Sequence, residues 1–191
     1  GSRSIKNLPE FKDMKILHII QRYPPAIGGS EAYCQRICRY QASRGHRVVV
    51  LTLKVFQEQE FWHEPRHEDN ALSFGSLEFD GRVRVIRCRR SVLAKPFFRI
   101  VNFIDRHFHT HFCGPHSWQM YLRMIKEVLL ADTIHLHTIP YPHNFFGLFF
   151  AKVFRKKVFI TPHFHIGHEI YEKKVNFWLM NQVDAVFADT L

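Results

Sequence analysis

Between a short apolar run and an amphipathic stretch the chain carries Gly28-Gly29-Ser30-Glu31. Paired glycines let the backbone come close to a ligand, and a helix starting here would turn free N–H groups toward an anion. The segment lacks the GxGxxG of a dinucleotide turn and the Gly-Lys-Ser/Thr of a phosphate-binding loop. An ordinary tight turn, with Glu31 complementing a helix dipole, would use the same residues. The second candidate is His163, in Ile160-Thr161-Pro162-His163-Phe164-His165 just past another apolar run. Its imidazole can donate to a hydroxyl or phosphate, or carry a proton; a structural histidine at a strand end is the plain alternative.

Other groupings say less. His135 and His137 alternate on a strand and share a face, but no cysteine lies near them in sequence. His107, His109 and His111 fall at steps that scatter around a helix, so no metal site is assigned. No Ser-His-Asp set or carboxylate pair can be picked out. Cys34 and Cys38 sit one helical turn apart, where bridging geometry is poor, and no CxxC occurs. With Cys88 and Cys113 they read as free thiols in a reducing compartment. Phe145, Phe146, Phe149, Phe150 and Phe154 adjoin Lys152, Arg155, Lys156 and Lys157. That segment is either a core helix with a solvated end or a surface for an anionic membrane or an acceptor. A second basic cluster, Arg82, Arg84, Arg87, Arg89 and Arg90, has no nucleic-acid motif beside it, and nucleic acid is not expected as a partner.

The elements that would position these residues follow from periodicity. The apolar run at 15–20 reads as a buried parallel strand, followed by a Pro- and Gly-rich loop and a helix that Ser30 would cap. Ala32, Tyr33, Ile37, Tyr40 and Gln41 would form its stripe, and Gly45 would end it. Strands are predicted at 47–53, 84–88, 133–137, 157–161 and 185–188, with 55–82 a long loop. Helices are predicted within 97–130, broken at Gly114-Pro115, and at 144–154 and 170–182. This alternation predicts a doubly wound, mostly parallel α/β sheet of six to seven strands, with ligands beyond the carboxyl ends of the strands.

The 191 residues suit one domain, with a net charge of +10 and an excess of Phe, at 19 residues. The basic balance suits anionic lipid or phosphorylated ligands. No apolar stretch approaches the ~18 residues of a membrane span, so a soluble or peripheral protein is expected. Gly1-Ser2 reads as a cloning remnant, and 1–13 as an extension ahead of a domain at 14–191. The last predicted strand has no closing helix after it, so the natural chain is expected to extend beyond Leu191.

Taken together, Met14-Lys-Ile-Leu-His-Ile-Ile20, Tyr23-Pro-Pro25 leading to Gly28-Gly-Ser-Glu31, and Arg44-Gly-His-Arg-Val-Val-Val-Leu-Thr52 form a series. It continues with Ala131-Asp-Thr-Ile-His-Leu-His137, Val158-Phe-Ile-Thr-Pro-His163 and Val183-Asp-Ala-Val-Phe-Ala-Asp189. In this order and combination the chain resembles the N-terminal domain of the retaining GT-B glycosyltransferases of family four. The resemblance implies a Rossmann-like, acceptor-side half of a two-domain, metal-independent enzyme. A C-terminal domain would hold a UDP- or GDP-sugar, and the acceptor would be lipid-linked or a glycan. It implies that Gly28 and Gly29 lie against the donor diphosphate, that His163 contacts the donor sugar, and that Ser30 and Glu31 stand at the substrate. It also implies work in the cytoplasm or at the cytoplasmic face of a membrane. The family's basic pair and spaced glutamates for the donor have no counterpart here, so this half alone is expected to be inactive and to hold no cofactor. Two other readings are a peripheral lipid-binding module and a fragment of a nucleotide-dependent oxidoreductase. The second sits poorly with Thr52-Leu53-Lys54, where an acidic residue would close the second strand.

Overall fold

A computed structural model describes residues 13–57, 60, 77–91, 115–163 and 174–188. Among these residues seven strands run in chain order as β1 (Lys15–Ile19), β2 (Arg47–Leu53), β3 (Leu77–Asp80), β4 (Val83–Cys88), β5 (Thr133–His137), β6 (Lys157–Thr161) and β7 (Ala185–Val186). The helices are α1 (Gly29–Ser43), α2 (Trp118–Leu130), α3 (Pro142–Val153) and α4 (Lys174–Asn181). The sheet order is β3-β4-β2-β1-β5-β6-β7. Every ladder is parallel except that of β3 with β4. This is the doubly wound α/β architecture expected.

Alternation along the strands divides the apolar residues between two cores. Leu17, Ile19, Val49, Leu51, Ile134, Leu136, Val158 and Ile160 meet Met120, Met124, Val128, Leu148 and Ala151 of α2 and α3 on one face. Gly147 lets α3 lie close: a Cβ there would stand 2.8 Å from Leu136 Cδ2 and 3.1 Å from Ile19 Cδ1. On the other face Ile20, Val48, Val50, Val83 and Val85 meet Cys34, Cys38 and Ala42 of α1. His18, His135 and His137 belong to this second face, because their strand neighbours point into the first.

Three expectations change. Ser30 does not cap α1: the helix begins at Gly29, with Gly28 at the cap and no side-chain cap bond. Its buried stripe is Glu31, Cys34, Cys38 and Ala42, while Tyr40 is exposed. The opposing sheet face is filled by valines and imidazoles, so Cys34, Cys38 and Ala42 fit beneath the helix while Tyr40 turns to solvent. The presumed loop at 55–82 ends in strand β3, antiparallel to β4. Gly45, at φ 94°, does end α1, as a left-handed position beyond a helix requires. Ser117 caps α2, accepting from the Met120 N–H at 3.0 Å. No helix among the described residues is long and apolar enough to cross a membrane.

Candidate functional site

The exits of β1, β5 and β6 lie on one edge of the parallel sheet. Thr138 N–H donates to Thr161 O at 2.9 Å and Ile139 N–H to Pro162 O at 3.0 Å, stitching the exits of β5 and β6 together. Thr138 and His163 both take left-handed backbone angles, at φ 62° and 47°. A non-glycine residue pays about 1 kcal/mol or more for this conformation, and such residues gather at functional sites. His163, half-buried, meets Tyr33 of α1 edge-on at 5.2 Å and stacks near His137 at 6.0 Å. Tyr33 therefore ties the first turns of α1 to the end of β6.

The Gly28–Glu31 segment joins β1 to α1, and its residues have distinct surroundings. An added Cβ at Gly29 would meet nothing within 4 Å, so the backbone there is open to a ligand. At Gly28 it would stand 2.1 Å from Glu31 Oε2 and 3.3 Å from an Arg22 guanidinium nitrogen. Glu31 is buried, pairs with Arg22 Nε at 2.6 Å and accepts from Ser30 Oγ at 2.9 Å. The carboxylate expected at the substrate is turned back into the protein, where it shapes the loop.

The loop before these glycines is held from β3 and β4. Buried Arg87 donates to Glu78 at 3.0 Å, to the Tyr23 carbonyl at 3.3 Å and to the Pro24 carbonyl. Tyr23 OH donates to Asp80 at 2.9 Å, and Gln35 and Arg39 of α1 donate to the same carboxylate. Burial alone would raise the Asp80 pKa, but bonds from Arg39, Gln35 and Tyr23 hold it below the usual carboxylate value. The basic cluster seen in the sequence is thus largely spent inside the fold. Arg84 pairs with buried Glu127 at 2.7 Å, and Arg90 reaches the Glu60 carbonyl.

Behind His163 the second sheet face carries a file of imidazoles. His135 and His137 stack at 4.2 Å, and His18 lies 5.1 and 5.2 Å from them. His135 Nε2 is 2.9 Å from Thr161 Oγ1. Burial, then crowding by His137, His18 and His163, pushes the His135 pKa well below the usual value, so it is neutral. Cys34 and Cys38 of α1 cover this file. Burial raises the Cys34 pKa, but Cys38, His137 and His18 outweigh it and pull the thiol well below the ordinary value. His18, Cys34 and Cys38, and separately His18, His135 and His137, could hold a metal ion. The sequence hides this because the cysteines come from α1 and the histidines from β1 and β5. Cys34, Cys38 and Cys88 are free, as expected, and all three are buried; Cys113, His107, His109 and His111 lie outside the described residues.

On α3, Phe145, Phe146 and Phe150 are half-buried against the first core, and Phe149 is exposed. Lys152 and Arg155 are exposed and Lys156 half-buried. The expected Phe surface is therefore narrower than the sequence suggests. A second apolar row, Trp118, Leu122, Ile125 and Leu129, is exposed on the neighbouring α2. No reading of the sequence singled it out, although its helical spacing was visible.

The glycosyl transferase 4-like domain family matches residues 28–190, and the chain belongs to it. No curated protein matches the sequence significantly.

Proposed function

We propose that this glycosyl transferase 4-like domain is the acceptor side of a two-domain enzyme. That enzyme moves a sugar from a UDP- or GDP-sugar to a lipid-linked or glycan acceptor, with retention and without a catalytic metal. The observation that carries the reading is the shared edge on which the open backbone of Gly29 and the left-handed His163 meet through Tyr33. In this reading the first N–H groups of α1, at Gly29 and Ser30, face the donor diphosphate, whose charge the helix terminus favours. His163 orients the donor sugar and stabilises charge developing at its anomeric carbon. Gly28, Glu31 and Arg22 set the course of the loop. A C-terminal donor domain completes the cleft, and the present half has no turnover alone.

Calorimetric titration of this chain with UDP-, GDP- and ADP-sugars should give weak or no binding; tight binding to one of them would overturn the half-enzyme reading. In the two-domain protein, His163→Ala should lower turnover by a factor on the order of 10²–10³. Near-wild-type turnover with an intact fold would remove His163 from the site.

The α2 row supports placing the acceptor at an anionic membrane surface. Trp118, Leu122, Ile125 and Leu129 are flanked by exposed Arg123 and Lys126, and Phe149 and Lys152 stand on the helix beside it. Apolar side chains with adjoining cations suit an anionic interface. Sedimentation with phosphatidylglycerol vesicles should show binding that Leu122→Ser weakens at high salt. Binding that salt alone abolishes would indicate only diffuse charge.

A further inference from the structure

Sugar transfer leaves the His–Cys group beneath α1 without a task. His18, His137, Cys34 and Cys38 are buried, each at least as deep as the apolar residues around them. Ligand atoms of His18, Cys34 and Cys38 lie within 4.8 Å of one another. The two thiols are 3.9 Å apart, and His18 Nδ1 is 2.9 Å from His137 Nε2. Around a tetrahedral zinc ion, with bonds of about 2.3 Å to sulfur and about 2.0 Å to nitrogen, sulfurs stand about 3.8 Å apart and nitrogens about 3.3 Å. The thiol spacing already matches and His18 lies within reach of both thiols, whereas the 2.9 Å nitrogen contact is a hydrogen bond and not a ligand spacing, and His137 completes the set by turning its ring toward the thiols.

The hydrogen bonds fix which nitrogen each ring can offer. Gln41 presents its carbonyl oxygen 2.7 Å from His18 Nε2, so His18 carries its proton there and offers a lone pair at Nδ1. His137 then donates from Nε2, and its Nδ1 is a buried lone pair with no hydrogen-bond partner among the described residues. Leaving such a buried atom unsatisfied is unfavourable. His135 is committed to Thr161 and stands behind the pair.

We propose that Cys34, Cys38, His18 and His137 form a structural site for a zinc-class divalent cation that fastens α1 to β1 and β5. Mixed nitrogen and thiolate ligands in a tetrahedral set select this class. On binding, both thiols release their protons to solvent. The cation and two thiolates then sum to zero charge, so the filled site is compatible with a buried position. No oxidation state changes. Gln41 becomes the outer partner that fixes the ring and tautomer of His18. The ion sits below the glycine loop and stiffens the helix that carries it, taking no part in sugar transfer.

Cobalt(II) is the probe, added to the metal-free full chain and followed by absorption spectroscopy. One equivalent should bind with sulfur-to-cobalt charge-transfer absorption and the d–d bands of a tetrahedral ion, and zinc should displace it. Cys34→Ser with Cys38→Ser should abolish the charge-transfer band, Cys88→Ser should leave it, and Gln41→Leu should weaken binding about 10- to 100-fold. Should the double serine variant fail to fold, alkylation mapped by mass spectrometry on the wild-type chain decides the matter. Zinc should protect Cys34 and Cys38 and leave Cys88 unchanged. A folded wild-type chain without the band, a band that survives the double substitution, or zinc that protects neither thiol would each overturn the site.

Discussion

A single methyl group distinguishes the two adjacent glycines. At Gly28 it would collide with the Glu31 carboxylate, which Arg22 holds at 2.6 Å in a buried pair. Moving one charge off its buried partner is costly, so Gly28→Ala should lower stability by about 2–3 kcal/mol in denaturant melts. At Gly29 the added group meets nothing. Gly29→Ala should change stability by less than about 1 kcal/mol, while Gly29→Val should lower turnover of the two-domain enzyme by blocking approach to the backbone. Equal effects on stability at both positions would show that the Glu31 collision is relieved without loss. At this scale the sequence exposes the glycine pair and His163, since each lies within a short local motif. It conceals the true place of Glu31, because Arg22 approaches it across a loop that no periodicity describes. It conceals the cysteine–histidine group for a similar reason: His18 and His137 are 119 positions apart yet 2.9 Å from each other.

Strand β3 shows how an element can be present and still be misread. In Leu77-Glu78-Phe79-Asp80 the apolar residues Leu77 and Phe79 are exposed, and the acidic residues turn toward Arg87 and Arg39. This reverses the alternation of a half-buried strand, and inward-pointing charge is a common feature of edge strands. The parallel strands β2 and β6 were legible because continuous apolar runs mark strands buried on both faces, and β5 because Ile134 and Leu136 alternate with histidines. Much of the order in the site loop depends on this inverted edge. Arg87 joins Glu78 of β3 to the carbonyls of Tyr23 and Pro24. Lysine keeps the charge but not the planar fork that serves several acceptors. Arg87→Lys should therefore cost about 2–3 kcal/mol of stability. It should also raise the exchange rate of the Ala26 amide, which donates to the Tyr23 carbonyl, read by hydrogen exchange. Unchanged exchange in a folded variant would mean that Asp80, with its bonds to Tyr23, Gln35 and Arg39, holds the loop without Arg87.

For the whole molecule, alternating strands and helices were enough to anticipate a doubly wound sheet, because right-handed parallel crossovers leave few arrangements. Which face carries water-avoiding polar groups is set by packing, and there the sequence is silent. His116 is such a group, buried before α2 with Nδ1 3.1 Å from Tyr121 OH. Burial pushes its pKa down to about 4 from the usual 6.5. The unfolded chain therefore takes up a proton at a pH where the folded chain does not. Its contribution is fully present above about pH 6.5 and is lost as pH falls toward 4, at up to about 1.4 kcal/mol per unit and on the order of 3 kcal/mol in all. Denaturant melts of the wild-type chain and of His116→Phe, taken across this window, isolate the effect as the difference in slope. The variant should lose less stability on acidification, even if the lost bond to Tyr121 makes it weaker at neutral pH. Parallel profiles would mean that His116 becomes protonated without unfolding, through local opening of the segment that leads into α2, so that its burial is not coupled to the global transition.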